Sequence, residues 1–461
     1  MNLRPYQVSA DSRIDRQFAG GARRVLAVLP TGGGKTVIFA SRALRSPGRV
    51  LILAHRKELI RQAVSKIPGS SIYPGRDAGR IVVGSVQTLA RRLDRLPRFD
   101  DIIVDEAHHT VAGQFRQLLD SQPQARVLGV TATPERLDGK GLGDFYEAMV
   151  LGPSVQELQA LGYLSPVEVY APAAPPDVQA LHTLAGDFNP RELNTLMDTP
   201  SVTGDAVDHY QWYCPGKPTI GFCVSVEHAR ATAAAFRAAG WRAVAVAGDD
   251  PAEHRDGALA GLAAGTVELV FSCSLIDEGL DIPAVSCVID LAPTKSLGRW
   301  LQRVGRGMRP APGKRHMWLL DHAGNTLRHG MPDEPRPWSL TGRERRSITV
   351  PATRQCPDCF AIHRPAACCP GCGFDYEAAR VAAERREIER REGELARLTP
   401  EDRRLQMLRS APLAELTAGA TFEQLQEIAA ARGYSPGWVR VQTKFRRGGL
   451  PAPRTSGEEF A

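Results

Sequence analysis

A chain of 461 residues is longer than one hydrophobic core usually supports, so two or three domains are expected. Hydrophobic residues at 43% and charged residues at 24% are those of a globular protein, which argues against a disordered or fibrous chain. The formal net charge of +7, carried more by Arg than by Lys, suits a polyanionic partner because the guanidinium fork pairs bidentately with phosphate; a mildly basic surface also simply serves solubility.

The chain opens with Asn2-Leu3-Arg4-Pro5-Tyr6-Gln7, without the basic-then-apolar pattern of a secretory peptide. No apolar stretch approaches the roughly 18 residues that a membrane span needs. Of nine cysteines, five crowd between Cys356 and Cys372, and the rest are scattered. That distribution predicts a cytoplasmic protein with one metal site rather than a disulfide scaffold.

From residue 20 to about 150, short β-branched runs alternate with amphipathic stretches. Val25–Leu29, Val50–Ala54, Ile81–Gly84, Ile102–Val104 and Val127–Val130 read as buried parallel strands, with helices such as Glu58–Lys66 and Val111–Leu119 between them. This predicts a first α/β domain over 1–160. Residues 161–200, with the run Ala171-Pro-Ala-Ala-Pro-Pro176, read as a connector. A second α/β domain over 201–330 follows, with strands Thr219–Val224, Ala243–Ala247, Leu269–Cys273, Ser286–Leu291 and Met317–Asp321 and a helix at Ser225–Ala239. A Pro-rich linker (331–350), a cysteine module (351–376) and a helical, partly disordered region (377–461) complete the plan. In that last region a charged helix is expected at Tyr376–Leu398 and a small helical unit at 412–447.

Pro30-Thr31-Gly32-Gly33-Gly34-Lys35-Thr36 lies between a predicted strand and a predicted helix. Glycines let the backbone wrap phosphates, which N–H groups and the helix N-terminus then hold. Thr31, Gly32, Gly33 and Gly34 are therefore candidate nucleotide ligands, with Lys35 on the outer phosphates and the Thr36 hydroxyl on Mg²⁺. The full pattern has Gly six residues before the Lys, where this chain has Leu29. The bland alternative is a Gly-rich turn.

Ile102-Ile103-Val104-Asp105-Glu106 is a buried-type strand that ends in two carboxylates, at the end of the sheet where α/β ligands sit. Asp105 is placed to hold Mg²⁺ and Glu106 to polarise an attacking water. An Asp that merely caps the next helix is the alternative.

In Gln302-Arg303-Val304-Gly305-Arg306-Gly307-Met308-Arg309, three cations recur at spacing three, on one face if the segment is helical. Stacked cations repel unless anions meet them; a solvated basic face is the ordinary outcome. The adjacent apolar residues and the glycine pair favour a close approach, which makes Arg306 and Arg309 candidate arginine fingers on the γ-phosphate.

Taken together, the blocks over residues 3–325 resemble the superfamily 2 helicases, in the DEAH-lettered form Asp105-Glu106-Ala107-His108. The resemblance implies two RecA-like P-loop domains that hydrolyse ATP. It adds His108 and Gln302 as catalytic residues, Gln7 as the reader of adenine, and Gly279 and Asp281, in Asp277-Glu278-Gly279-Leu280-Asp281, beside the nucleotide. It implies backbone contacts to nucleic acid from Arg56, Ser85, Gln87, Thr88 and Ser225, and a coupling segment at Thr131-Ala132-Thr133. Contacts of that kind position a strand without reading its sequence, so binding should be salt-sensitive and sequence-tolerant.

Cys356-Pro357-Asp358-Cys359 and Cys369-Pro370-Gly371-Cys372 are two C-x-x-C knuckles, the spacing of a closed tetrahedral zinc site. Cys368 is then the spare, His363 a weaker substitute ligand, and a redox dithiol the alternative. A motor followed by such a ribbon resembles the RadD-like and XPB-like bacterial and phage DNA repair helicases. Arg432–Trp438 with Lys444-Phe445-Arg446-Arg447 is similar to a tail element of such helicases, with Trp438 either on nucleic acid or packed on a mini-domain. The expectation is an ATP-dependent helicase or translocase acting on DNA, single-stranded or forked, in repair, recombination or phage DNA metabolism, alongside possible repair proteins. An RNA helicase, or the motor subunit of a restriction or repair complex, is the alternative.

Overall fold

The apolar runs become strands because each is buried on both faces, which a parallel sheet covered by helices provides. The computed structural model describes residues 2–54, 57–73, 79–110, 113–136, 140–171, 176–178, 180–184, 186–197, 200–273, 285–342, 353–359, 361–379 and 400–447. The chain divides into two compact units, Met1–Asp375 and Tyr376–Ala461, and the first contains two lobes.

Lobe 1 is a parallel sheet of β1 (Arg24–Val28), β2 (Val50–Ala54), β3 (Ser70–Ile72), β4 (Ile81–Ser85), β5 (Asp101–Asp105), β6 (Arg126–Thr131) and β7 (Ala148–Leu151). Its order is β3-β4-β2-β5-β6-β1-β7. Alternate residues of β1 serve opposite cores: Val25 and Ala27 face one, Leu26 and Val28 the other. β1 lies between β6 and β7, with Leu26 level with Gly129 and Met149. That register brings the loop after β1, the end of β5 and the end of β6 to one edge of the sheet.

β8 (Val167–Tyr170) falls in the stretch read as connector, yet it pairs in parallel with a strand of lobe 2. The same stretch holds a two-stranded hairpin, β9 (Thr183–Leu184) and β10 (Asp187–Phe188), and a helix, Pro190–Met197. Lobe 2 continues with β11 (Thr219–Phe222), β12 (Ala243–Val246), β13 (Leu269–Ser272), β14 (Cys287–Asp290) and β15 (Met317–Asp321). The cysteine module contributes β16 (Arg354–Gln355) and β17 (Ala361–His363), and the sheet order is β12-β13-β11-β14-β15-β8-β17-β16. β17 runs antiparallel to β8, so the module extends the lobe 2 sheet instead of standing apart.

The stretch read as a linker also has structure. Residues 331–342 cross back to lobe 1 as a strap, and Trp338 packs against the cores of both lobes. Gly143 N–H donates to the Leu340 carbonyl at 2.8 Å, and Lys140 forms an antiparallel bridge with Gly342. A Cβ on Gly141 would collide with the strap backbone at Leu340 and Gly342, so only glycine permits this contact.

The second unit has helices Pro400–Ser410, Leu413–Thr417, Phe422–Arg432 and Pro436–Arg447. They enclose Leu408, Leu425, Ile428, Ala429 and Val439, with Trp438 packed against them, which is the mini-domain alternative for that residue. Most of the charged helix expected at 376–398, and the tail beyond 447, lie outside the described residues. No helix among the described residues is long and apolar enough to cross a membrane.

Candidate nucleotide and metal sites

The phosphate loop joins β1 to the helix Lys35–Arg45. Gly32 and Gly34 stand at φ 81° and 78°, left-handed values that favour glycine, and Gly34 is the residue that opens the helix. Lys35 and Thr36 form its first turn, both half-buried. The N-terminal helix Pro5–Ala19 clamps the loop from one side. Tyr6 Oη donates to the Gly33 carbonyl at 2.9 Å, and Gln7 Nε2 donates to the Gly34 carbonyl at 3.4 Å. Gln7 Oε1 accepts from Arg4 N–H at 2.9 Å, so both polar ends of its buried amide are engaged by protein. Sequence reasoning singled out Gln7, as the reader of adenine, and gave no role to Tyr6; the support both give the loop is a contact 27 residues apart that no motif marks.

Asp105 ends β5, and the next residue takes an unusual backbone. Glu106 is the one non-glycine residue at positive φ among the described residues, at φ 51°, ψ 56°. Holding such a conformation costs on the order of 1–3 kcal/mol, and strain of this kind collects at functional sites. It places the Glu106 carboxylate where Gln302 Nε2, from lobe 2, donates to Oε2 at 3.2 Å. His108 Nδ1 lies 3.5 Å from the same oxygen and 3.2 Å from Thr131 Oγ1. The Thr131 hydroxyl already donates to the Thr133 carbonyl at 2.9 Å, so it accepts from His108, which fixes the proton on Nδ1. His108 thus stands between the Glu106 carboxylate, 3.5 Å away, and the coupling segment, to which it is hydrogen-bonded through Thr131.

The arginine segment is helical over Leu297–Gly307. In a real helix, steps of three rotate by about 60° each, so the three arginines do not share a face. Arg303 turns into lobe 2, where Nη1 donates to the Ala292 carbonyl at 2.7 Å and lies 3.4 Å from Asp290 Oδ1. Gln302 and Gly305 meet lobe 1, and the helical period sets Arg306, four residues after Gln302, on the same side of the helix. A Cβ on Gly305 would strike the Thr31 side chain, and one on Gly298 would come within 2.8 Å of Thr133 Oγ1. Arg306 is buried, and Arg309, just past the helix end, runs its Cγ to 3.5 Å from the position of a Cβ on Gly32. The helix's last carbonyl, that of Gly307, is held by Lys314 Nζ, which also donates to the Arg309 carbonyl just beyond the end. Burial, with the neighbouring Arg309 charge, pulls the Lys314 ammonium down to about 8.

The remaining candidates divide. Ser85 and Ser225 cap helices: Ser85 Oγ accepts from Thr88 N–H at 3.2 Å and Ser225 Oγ from His228 N–H at 3.0 Å. Gln87 is exposed and Thr88 half-buried on the same short helix. Arg56, Gly279 and Asp281 lie outside the described residues.

Cys356, Cys359, Cys369 and Cys372 bring their sulfurs within 4.8 Å of one another. The Cys356–Cys372 and Cys359–Cys369 pairs stand at 3.6 Å, against about 3.8 Å for a tetrahedron with Zn–S bonds of roughly 2.3 Å. The donor set fits zinc. Burial opposes ionisation of Cys356, but the backbone N–H groups of Cys359 and Asp358 and the thiols of Cys372 and Cys369 together bring it down to about 6. Cys368 is exposed and outside the cluster, and His363 is committed to the Arg364 carbonyl at 2.6 Å.

Two parallel-sheet lobes, with a Gly-rich loop on one and an arginine-bearing helix packed against it from the other, define a tandem P-loop architecture. Residues 1–136 match the family described as type III restriction enzyme, res subunit, and residues 206–311 match the helicase conserved C-terminal domain. The chain is 31% identical to a 51.5 kDa protein of a Lactococcus phage over 87% of each chain. It is 29% identical to IRC3 of Saccharomyces cerevisiae, named as an ATP-dependent helicase, over 70% of this chain and 51% of that protein. A Kineococcus radiotolerans protein named DNA 3'-5' helicase XPB is 25% identical over 67% of this chain and 57% of its own. The chain thus spans only about half the length of these two helicases. Among solved structures, an HsdR fragment of a type I restriction enzyme from Vibrio vulnificus shares the fold, with TM-score 0.58, 22% identity and coverage of 72% of this chain and 66% of that one. The chain belongs to the superfamily 2 helicases, enzymes that hydrolyse ATP with Mg²⁺.

Proposed function

We propose that this protein is an ATP-driven motor acting on DNA, either moving along a strand or separating two. The observation that carries it is the contact across the lobes: Gln302 on Glu106, with Gly305 seated on Thr31. In this reading the loop Thr31–Gly34 and Lys35 bind the ATP phosphates. Thr36 and Asp105 hold Mg²⁺, whose charge offsets that developing on the transferred phosphoryl group. Glu106 orients the attacking water, His108 ties it to the coupling segment, and Gln302, Arg306 and Arg309 meet the γ-phosphate from lobe 2. Gln7 sits beside the loop for adenine, with Gly279 and Asp281 assigned to the nucleotide from their motif. Closing on ATP and parting after hydrolysis would walk a strand held by Arg56, Ser85, Gln87, Thr88 and Ser225.

DNA rather than RNA is supported by the restriction-enzyme family description and by the XPB relative's name. The restriction relatives also support a second reading, in which the chain is the motor subunit of a larger restriction or repair complex. The four cysteines would hold a structural zinc, and nine cysteines with no disulfide among them suit a reducing cytoplasm. The test is ATP hydrolysis measured with single-stranded, duplex and forked DNA and with matched RNA. Stimulation by DNA that weakens steeply with salt is expected; no stimulation by any nucleic acid would remove the reading.

A further inference from the structure

The hairpin β9–β10 comes from a segment with no assigned role, and it delivers one carboxylate to the start of the arginine helix. Asp187 Oδ2 accepts from Thr294 Oγ1 at 2.6 Å and from Arg299 Nη1 at 2.9 Å. Its Oδ1 accepts from Lys295 N–H at 2.7 Å. The bonds close into a ring around the helix N-terminus: Ser296 N–H donates to Thr294 Oγ1 at 3.0 Å, and Arg299 N–H donates to Ser296 Oγ at 3.2 Å. Asp187 is mostly buried, with 14% of its side chain exposed. Phe188 packs the hairpin in place beneath the Lys295 ammonium, 4.7 Å from its ring centre, and the Arg328 guanidinium, at 5.3 Å.

We propose that Asp187 is a positioning residue that sets the pitch of the helix Leu297–Gly307 so that Gln302 meets Glu106. The inference rests on the reading of that helix as part of the ATP site. Lys314 fastens the C-terminal end, and Asp187, an anion at the N-terminal end, fastens the other. With Asp187 removed, the helix pivots about the Lys314 end. Gln302 lies about 9 Å along the axis from Met308, at roughly 1.5 Å per residue. A tilt of only about 6° then moves it by about 1 Å, a displacement that can cost on the order of 10²-fold in rate. The loop of lobe 1 keeps its own hold on the nucleotide during this motion, so the loss falls chiefly on turnover.

The experiment uses the full chain and DNA-stimulated ATP hydrolysis, with kcat and KM for ATP read separately. Asp187→Ala should lower kcat about 10- to 100-fold while KM changes less than threefold. Asp187→Asn, which keeps an acceptor but loses the charge facing Arg299, should fall between it and the parent. In the double variant Asp187→Ala with Gln302→Ala, the losses should be markedly less than multiplicative because both act through one contact. Parental kcat in Asp187→Ala, or a change confined to KM, overturns the proposal. If that variant does not fold, Asp187→Asn decides: a lower kcat at unchanged KM supports the role, and parental kcat overturns it. Gln302→Ala alone separates the two levels. If it leaves turnover intact, the reading of the helix fails; if it is impaired while Asp187→Ala is not, only the positioning role fails.

Discussion

Gly305→Ala offers a test in which stability and activity should move in opposite directions. The added methyl has no room, because it would strike the Thr31 side chain of the phosphate loop on the opposing lobe. Inserting a methyl into a filled contact typically costs about 1–3 kcal/mol. At about 1.4 kcal/mol per factor of ten, the closed arrangement of the lobes should become roughly 5- to 150-fold less populated. Within lobe 2 the sign reverses, since Gly305 is interior to a helix, where Ala is better than Gly by up to about 1 kcal/mol. DNA-stimulated ATPase should therefore fall steeply while the melting temperature holds or rises. A fluorescent ADP titration should show near-parental affinity, because the loop itself is unchanged. Gly298→Ala is a graded companion: it meets only the Thr133 hydroxyl, a single rotatable atom, and should lose less. Parental turnover in Gly305→Ala would mean that the lobes do not meet in this register during the cycle, and the interlobe assignment would fall.

Glu106→Gln should abolish hydrolysis yet retain ATP binding; residual turnover above about a hundredth of the parent would remove Glu106 as the group that orients water. Colorimetric chelator release should yield one zinc per chain, and Cys356→Ser should lower both zinc content and melting temperature, whereas Cys368→Ser, exposed and outside the cluster, should change neither. Burial, with the charge of nearby His209 acting in the same direction, holds the His322 imidazole down to about 3. A depressed histidine binds fewer protons folded than unfolded, so its contribution is present above about pH 6.5 and lost as pH falls toward 3, costing about 2 kcal/mol by pH 5. Urea midpoints at pH 7 and 5 should show that loss, and His322→Asn should flatten it.

Much of the engine was legible because it is local. Val50–Ala54 reads as a strand to the residue, since a five-residue apolar run between polar flanks can be little else in an α/β alternation. The loop Gly32–Gly34 and the pair Asp105-Glu106 announce themselves by residue type at fixed spacing. What escaped was long-range. Nothing in Val167–Tyr170 says that it belongs to the second sheet, because its partner Met317–Leu320 is 150 residues away. The spacing of Arg303, Arg306 and Arg309 suggested one face, but the helical period sends Arg303 to Asp290 and leaves Gln302 pointing across the cleft. Ser85 and Ser225 each stand at a strand-to-helix junction, where a cap and a phosphate contact have the same sequence signature. The carboxylate of Asp187 carried no motif at all, and only the hairpin's docking reveals its work.

The strap has a mechanical corollary. The backbone enters lobe 2 by Val167, is back against lobe 1 at Leu340, and has rejoined lobe 2 by Ala361. Three passes of one backbone therefore hinge the halves together like a doubled stitch. A protease that nicks one of these passes leaves the halves still stitched by the others, so nicked material should run as two bands on a denaturing gel and elute as one particle from a sizing column.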